Sequence, residues 1–218
     1  MEISFVGHSC FRLRGRDASV VIDPYGNGLG LTTLVPSRFS ADVLAITHEH
    51  PGHNNRAMVG GDPKVIDGPG EYEVKGVSIQ GVSAFHDDAR GARLGRVTMY
   101  SITIDEVVVA HLGDLGHGLS EAQQDHLGTI DVLLLPVGGG NSLSATAAAA
   151  VANQLEAKFV IPMHYKLPGL KVDLDDPRHF ASEMGIENVE FQPKLSLNSK
   201  PSSDEMKIVF LEARAAST

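Results

Sequence analysis

A single cysteine, Cys10, stands in a chain of 218 residues. One cysteine cannot close an internal disulfide, so the chain carries no sign of an oxidising compartment. No apolar run reaches the roughly 18 residues that a membrane span needs. Residues 1–20 hold Glu2, His8, Arg12 and Asp17 and lack the apolar centre of a secretory leader. The cytoplasm is the expected location. Basic charge is also scarce: 18 Lys and Arg face 27 Asp and Glu, a net charge of −9. Phosphate backbones are bound by clusters of Lys and Arg, so a general nucleic-acid binder is disfavoured despite the local group Arg12, Arg14 and Arg16. There is no linker, no low-complexity segment and no coiled-coil stripe. One domain over residues 1–218 is expected, and the oligomeric state is left open.

What the chain does have is histidine, in ten copies, several beside Gly, Asp or Pro just after an apolar run. That placement puts imidazoles on loops at strand ends, where sites are commonly built. Strands are expected at Glu2–Val6, Cys10–Arg14, Ser19–Ile22, Asp42–Thr47, Lys64–Asp67, Val74–Phe85, Val97–Ile104 and Val107–Ala110, with Gly76, Gly81, Gly91 and Gly95 as turn residues. The second half adds helices. Ser120 with Gln123 reads as a capping box closed by Gly128. Ser144–Glu156 is Ala-rich, and Asp176 before Pro177 caps a third helix that Gly185 ends. Strands are expected between and after them at Val132–Pro136, Phe159–Pro162, Val189–Phe191 and Lys207–Leu211, with a polar turn at Asn198–Asp204. Many strands with a few helices imply an α+β class, sheet packed on sheet with helices outside. The segments Ala41-Asp-Val-Leu-Ala-Ile and Ile130-Asp-Val-Leu-Leu-Leu echo each other and suggest two similar halves.

The chemistry concentrates in Thr47-His48-Glu49-His50-Pro51-Gly52-His53. In extended chain, residues i and i+2 share a face, so His48 and His50 can approach one cation. A turn at Pro51-Gly52 brings His53 round beside them. Neutral imidazole ligates Zn, Fe, Ni or Mn-class metals. Three further strand ends carry candidates: His86 before Asp87 and Asp88, Asp114 between His111 and His117, and His164 after Pro162. Alone, His86 reads as a solvated turn and His164 as a packed, hydrogen-bonded histidine, while the small residues around Asp114 leave its carboxylate room to reach inward. Ser9 and Cys10 lack an activating partner, and Cys10 reads as a small core residue. Gly138–Asn141 lacks the Lys-Ser/Thr of a phosphate loop. It does precede the Ala-rich helix, whose N-terminus favours anions. His117, His126 and His179 read as surface residues or as supports behind the ligands, not as ligands.

Taken together, His-x-His-x-x-His, then His86, then Gly113-Asp114, then Pro162-x-His164 resembles the metallo-β-lactamase superfamily. The segments Gly7-His8-Ser9-Cys10-Phe11, Ile22-Asp23-Pro24 and Gly68-Pro69-Gly70-Glu71-Tyr72 are similar to the branch of zinc-dependent hydrolases that includes ascorbate-6-phosphate lactonase-like proteins. The resemblance covers about residues 1–170. It implies an αββα sandwich of two mixed β-sheets with helices on the outer faces. It implies one or two zinc ions per chain, with manganese as the alternative metal. His48, His50 and His86 are then expected at the first ion, Asp114 bridges, and His53 and His164 serve the second. His86 is preferred to His111 because its spacing to Gly-Asp fits the family. Asp114 and His8 are the expected catalytic residues, His8 by contacting substrate, and Asp23 is expected to orient a ligand imidazole.

One position departs from the pattern. The family motif is His-x-His-x-Asp-His, and Gly52 occupies the Asp position. The second ion is therefore expected to be weakly held or missing, unless Glu49, Glu71 or Asp87 supplies a carboxylate. The favoured activity is hydrolysis of an ester, lactone or phosphodiester of a small molecule by a metal-bound water. The alternative is a catalytically degenerate member that binds a ligand or partner. A nucleic-acid processing role is a third reading, against which the net charge counts.

Overall fold

A computed structural model describes residues 1–32, 39–202 and 205–214. Its first half opens with a meander. Strands β1 (Glu2–Gly7), β2 (Cys10–Arg14) and β3 (Ser19–Ile22) pair antiparallel, and β4 (Val43–Ala45) and β5 (Lys64–Ile66) then add parallel to β3. A late strand, β13 (Leu195–Ser196), completes this six-stranded sheet on the far side of β1.

The second sheet repeats the plan. Strands β7 (Val77–Phe85), β8 (Arg96–Ile104) and β9 (Val107–His111) pair antiparallel, and β10 (Val132–Pro136) and β11 (Phe159–Met163) add parallel to β9. Strands β6 (Gly70–Val74) and β14 (Lys207–Ile208) close its two edges. The echo noted in the sequence has a structural counterpart. Asp42 N–H donates to the Ser19 carbonyl at 3.0 Å while its carboxylate accepts from Ser19 N–H at 2.9 Å. Asp131 does the same with Val108, at 3.0 and 2.9 Å. The same reciprocal pair locks the first parallel strand of each sheet.

Helices occupy the crossovers. Helix α1 (Glu121–Leu127) has the Ser120–Gln123 capping box and packs on β7. Helix α2 (Ala145–Leu155), capped by Ser144, packs on β10 and on α3 (Pro177–Glu183), which Asp176 caps. No helix among the described residues is long and apolar enough to cross a membrane.

The expected strand Val74–Phe85 is interrupted at the turn expected of Gly76: Val74 ends β6 and Val77 starts β7. It breaks at Lys75-Gly76, whose φ values of 50° and 75° form a two-residue hairpin turn. Gly81 lies inside β7 rather than in a turn; a side chain there would meet the Gly68 carbonyl at 2.7 Å. Strand β13 was not expected, and the C-terminal strands β12 (Phe191–Gln192), β14 and β15 (Phe210–Leu211) are only two residues each. The polar turn expected at Asn198–Asp204 falls partly outside the described residues.

One continuous apolar core joins the sheets, with Phe5, Phe11 and Ile22 from the first and Tyr100, Val109 and Leu134 from the second. Each such buried side chain contributes roughly 1.5–3 kcal/mol. Cys10 is packed there, and burial pushes its thiol pKa well up. At one end the two sheets are bonded directly. Tyr100 O–H donates to the Ile46 carbonyl at 2.9 Å, and Thr98 N–H donates to the Thr47 carbonyl at 2.8 Å. That end holds the site.

Candidate metal centre

The carboxyl ends of β1, β3, β4, β7, β9 and β11 lead into His8, Asp23, His48–His53, His86, Asp114 and His164 respectively. Ligand sites in sheets with parallel strands sit at this end because the chain there leaves the sheet and frees its loops. The loop after β4 turns as its sequence suggests: His53 N–H donates to the His50 carbonyl at 2.9 Å. Between the two inward histidines Glu49 faces out, where its carboxylate accepts from Asn54 and Arg56 at 2.8 Å each. The loops carrying Asp114 and His164 are seated by glycines. A Cβ at Gly116 would lie 2.4 Å from the His86 carbonyl, and one at Gly138 would lie 2.1 Å from the His164 carbonyl.

Four imidazoles converge on one oxygen. Asp114 Oδ2 lies 3.1 Å from His53 Nε2, 3.2 Å from His164 Nε2, 3.4 Å from His86 Nε2 and 3.7 Å from His48 Nε2. Ligand atoms of His48, His50 and His86 lie within 4.8 Å of one another, and so do those of His8, His53 and His164. The structure thus brings together every residue expected at the site. It sends His111, the rival to His86, elsewhere.

The other ring nitrogens are tied down, which sets the tautomers. Asp23 Oδ1 accepts from Thr47 N–H at 2.8 Å, and Oδ2 accepts from Thr47 O–H at 2.6 Å and from His53 Nδ1–H at 2.9 Å. The Thr47 hydroxyl has one proton and gives it to Asp23, so it accepts from His48 Nδ1–H at 2.9 Å. His86 Nδ1–H donates to the Asn141 carbonyl at 3.0 Å. Ser142 O–H donates to the Gly139 carbonyl at 3.1 Å, so its oxygen accepts from His164 Nδ1–H at 3.2 Å. Every one of the four rings therefore aims Nε2 inward. Nδ1 bonds of this kind are what orient metal-ligating imidazoles. The glycine-rich loop after β10 takes part here through Asn141 and Ser142. The orienting roles of Thr47, Asn141 and Ser142 were not read from the sequence; Gly138–Asn141 stood there only as a loop after a strand and before a helix whose N-terminus favours anions.

Charge follows geometry. Burial alone would raise the Asp114 pKa, but the surrounding His164 and His53 hold it well below the carboxylate range. Burial lowers His53, yet Asp114 and Asp23 on either side push it up to about 10. His48 is taken down to about 3 by burial and by the charge on His53. Burial, then His164 and His53, lower His8 well below its ordinary value. His48 Nε2, His86 Nε2, His8 Nδ1 and Asp114 Oδ1 are buried without hydrogen-bond partners. Inward-facing lone pairs around a buried carboxylate repel one another unless a cation sits among them, so this donor set fits a metal ion.

His111 has a different task. Its Nδ1 accepts from Gly113 N–H at 3.0 Å, so Nε2–H donates to the Ser9 carbonyl at 2.9 Å and bridges the two sheets. Replacing it, as His111→Leu, leaves both backbone groups unpaired and costs about 1–3 kcal/mol in denaturant unfolding without changing metal content. Burial lowers the His111 pKa below its ordinary value of 6.5. The unfolded chain then binds more protons below that value, so the native protein loses stability as pH falls below about 6.5. The Leu variant shows a shallower acid-side loss.

A family model described as a β-lactamase superfamily domain matches residues 2–164. Together with the two mixed sheets and the converging site, this places the chain in the metallo-β-lactamase superfamily. It is 28% identical over 211 residues to a protein of Thermococcus onnurineus named as a metal-dependent hydrolase, covering 85% of this chain and 92% of that one. A Bacillus subtilis protein of the same designation is 25% identical, with 84% and 92% covered. Among solved structures, a proposed zinc-dependent hydrolase of the superfamily from Thermotoga maritima superposes with a TM-score of 0.77 at 34% identity, covering 97% of this chain and 99% of that one.

Proposed function

We propose that the chain is a metal-dependent hydrolase acting on a small molecule with an ester, lactone or phosphodiester bond. The observation that carries this is the set of four imidazoles whose Nδ1 atoms are tied and whose Nε2 atoms converge on Asp114. The names of the relatives above support the reaction class. In this reading His48, His50 and His86 hold a first ion, Asp114 reaches both positions, and His53 and His164 belong to a second. Zinc suits the donor set, with manganese as the alternative. Such ions supply Lewis acidity and acidify water at neutral pH.

The protein's own residues do the rest. Asp23 and Thr47 fix two rings, Asn141 and Ser142 fix two more, and Asp114 offers its second oxygen, Oδ1, without a hydrogen-bond partner. A hollow of about 300 Å³ beside His86, Asn141 and Ser142 gives substrate a place against this cluster. That size lies at the small end of small-molecule sites. A larger hollow, about 760 Å³ along Tyr165–Leu170, contains none of the clustered histidines. Gly52 deprives the second position of a carboxylate, so a cation there is less well neutralised. The single buried cysteine and the one continuous core fit a one-domain protein of a reducing cytoplasm.

Purified protein, stripped with chelator and reloaded with zinc or manganese, is to be screened against lactones, esters and phosphodiesters. The expected result is turnover that disappears with chelation and returns with metal. Metal binding without turnover of any of the three classes favours the degenerate ligand-binding alternative. Absence of metal binding after reloading overturns the reading.

A further inference from the structure

We propose that His8 stands in for the carboxylate that position 52 lacks, so that His8, His53 and His164, with Asp114, make a complete second metal position. The inference rests on the metal-dependent reading above and changes its second half: the ligand number is restored although the charge is not.

The argument begins with space. A Cβ built on Gly52 would lie 3.0 Å from His8 Nε2 and 3.3 Å from His8 Cδ2. The His8 ring therefore fills the volume into which any side chain at position 52 would project. Glycine at 52 and an inward imidazole at 8 are a matched pair. A side chain at 52 can enter only if the His8 ring yields, because a Cβ there already sits at 3.0 Å from it.

The backbone holds His8 there. It occupies the turn between β1 and β2 with φ of 56°, a left-handed conformation that a non-glycine residue keeps only when its surroundings impose it. Its carbonyl accepts from His164 N–H at 2.7 Å, which binds the turn to the strand end that carries His164. The ring centroids of His8 and His164 are 4.5 Å apart, and those of His8 and His53 are 5.0 Å apart. His8 is 2% exposed, and its Nδ1 has no hydrogen-bond partner. A buried imidazole with an unpartnered Nδ1 beside two others is costly as a packing element. It is what a metal position requires.

The other candidates are engaged elsewhere. The Glu49 carboxylate is exposed and bonded to Asn54 and Arg56. Asp87 accepts from four backbone N–H groups, those of Ala89, Gly91, Arg93 and Leu94. Glu71 is exposed on β6. His8 alone among the residues considered for the vacancy reaches the second cluster. Three imidazoles and one carboxylate make a four-ligand set acceptable to Zn²⁺ or Co²⁺. With one negative charge fewer than the family pattern, this position fills at higher metal concentration than the first.

The test is metal content by elemental analysis together with Co²⁺ titration followed by visible absorption, with circular dichroism to verify folding. The chains are wild type, His8→Ala, the bulkier His8→Gln, Gly52→Asp and the double variant His8→Ala/Gly52→Asp. About two ions are expected in wild type, about one in either His8 variant, and about two again in the double variant, where the new carboxylate enters the vacated space. Gly52→Asp alone is expected to push the His8 ring aside, keep about two ions, and tighten the weaker Co²⁺ step by about tenfold or more, since a carboxylate balances the ion's charge. Equal metal content in wild type and a folded His8 variant overturns the proposal, whether that content is one ion or two. A chain that binds no Zn²⁺ or Co²⁺ at all instead overturns the metal-dependent reading on which it rests.

Discussion

Asp114→Asn is expected to empty both proposed metal positions while the chain stays folded. Asp114 Oδ2 is the common neighbour of four Nε2 atoms at 3.1–3.7 Å, contributed by loops of both sheets. Asparagine keeps the shape and removes the charge, so every cation in the cluster loses its one central anion. Loss of a mere orienting partner costs about 10–100-fold in metal affinity; loss of this carboxylate should exceed that. His53 keeps Asp23 as an ion partner at 2.9 Å, so the fold is not left with an uncompensated buried imidazolium. His53 should nonetheless titrate well below its present value of about 10, because Asp114 is the strongest influence raising it. Metal analysis after dialysis and imidazole ¹⁵N shifts against pH read the two effects separately. Wild-type metal content in the variant would remove Asp114 from the ligand set.

The histidine loop was readable because its geometry is local. A short apolar strand, alternate histidines and a Pro-Gly turn determine which way His48, His50 and His53 face, and Glu49 turns out by the same alternation. Assigning His86 over His111 was different in kind. Both follow apolar strands, and periodicity treats them alike; only the spacing to Gly113-Asp114 separated them. The structure supplies the physical reason, since His111 is consumed by Ser9 and Gly113 at the sheet interface.

What stayed hidden depends on contacts distant in sequence. Asn141 orients His86 from 55 residues away, and Ser142 orients His164 from 22. Each acts through a carbonyl or a hydroxyl that any loop possesses, so composition carries no mark of it. His8 was visible as part of a motif, but its approach to Gly52 needs the first turn of the chain to meet the fourth strand's loop. The hairpin at Lys75-Gly76 was half legible: Gly76 reads as a turn, because a glycine in a short gap between alternating segments is a turn signal, but the expected strand runs through it from Val74. The two-residue C-terminal strands were not, since periodicity has no meaning over two positions.

Asp23→Asn carries the second large effect, and it reaches both proposed metal positions from outside them. The carboxylate takes three protons: Thr47 N–H on Oδ1, and Thr47 O–H and His53 Nδ1–H on Oδ2. An Asn that keeps its oxygen toward Thr47 N–H must turn its NH₂ toward His53 Nδ1 and the Thr47 hydroxyl. An NH₂ donates, so His53 is forced to carry its proton on Nε2, the atom that should face the cation. The Thr47 hydroxyl, now receiving a proton, is free to donate to His48 Nδ1 and flip that ring as well. One atom exchange thus blocks a lone pair in each ligand group. Metal affinity should fall about 10–100-fold at each position, and stability by about 1–3 kcal/mol through the mispaired buried bonds. Imidazole ¹⁵N shifts distinguish this from simple loosening, because the variant should show the Nε2–H tautomer for His53 where metal-loaded wild type shows Nδ1–H. Unchanged tautomers with unchanged affinity would mean that Asp23 serves the strand end alone and not the rings it touches.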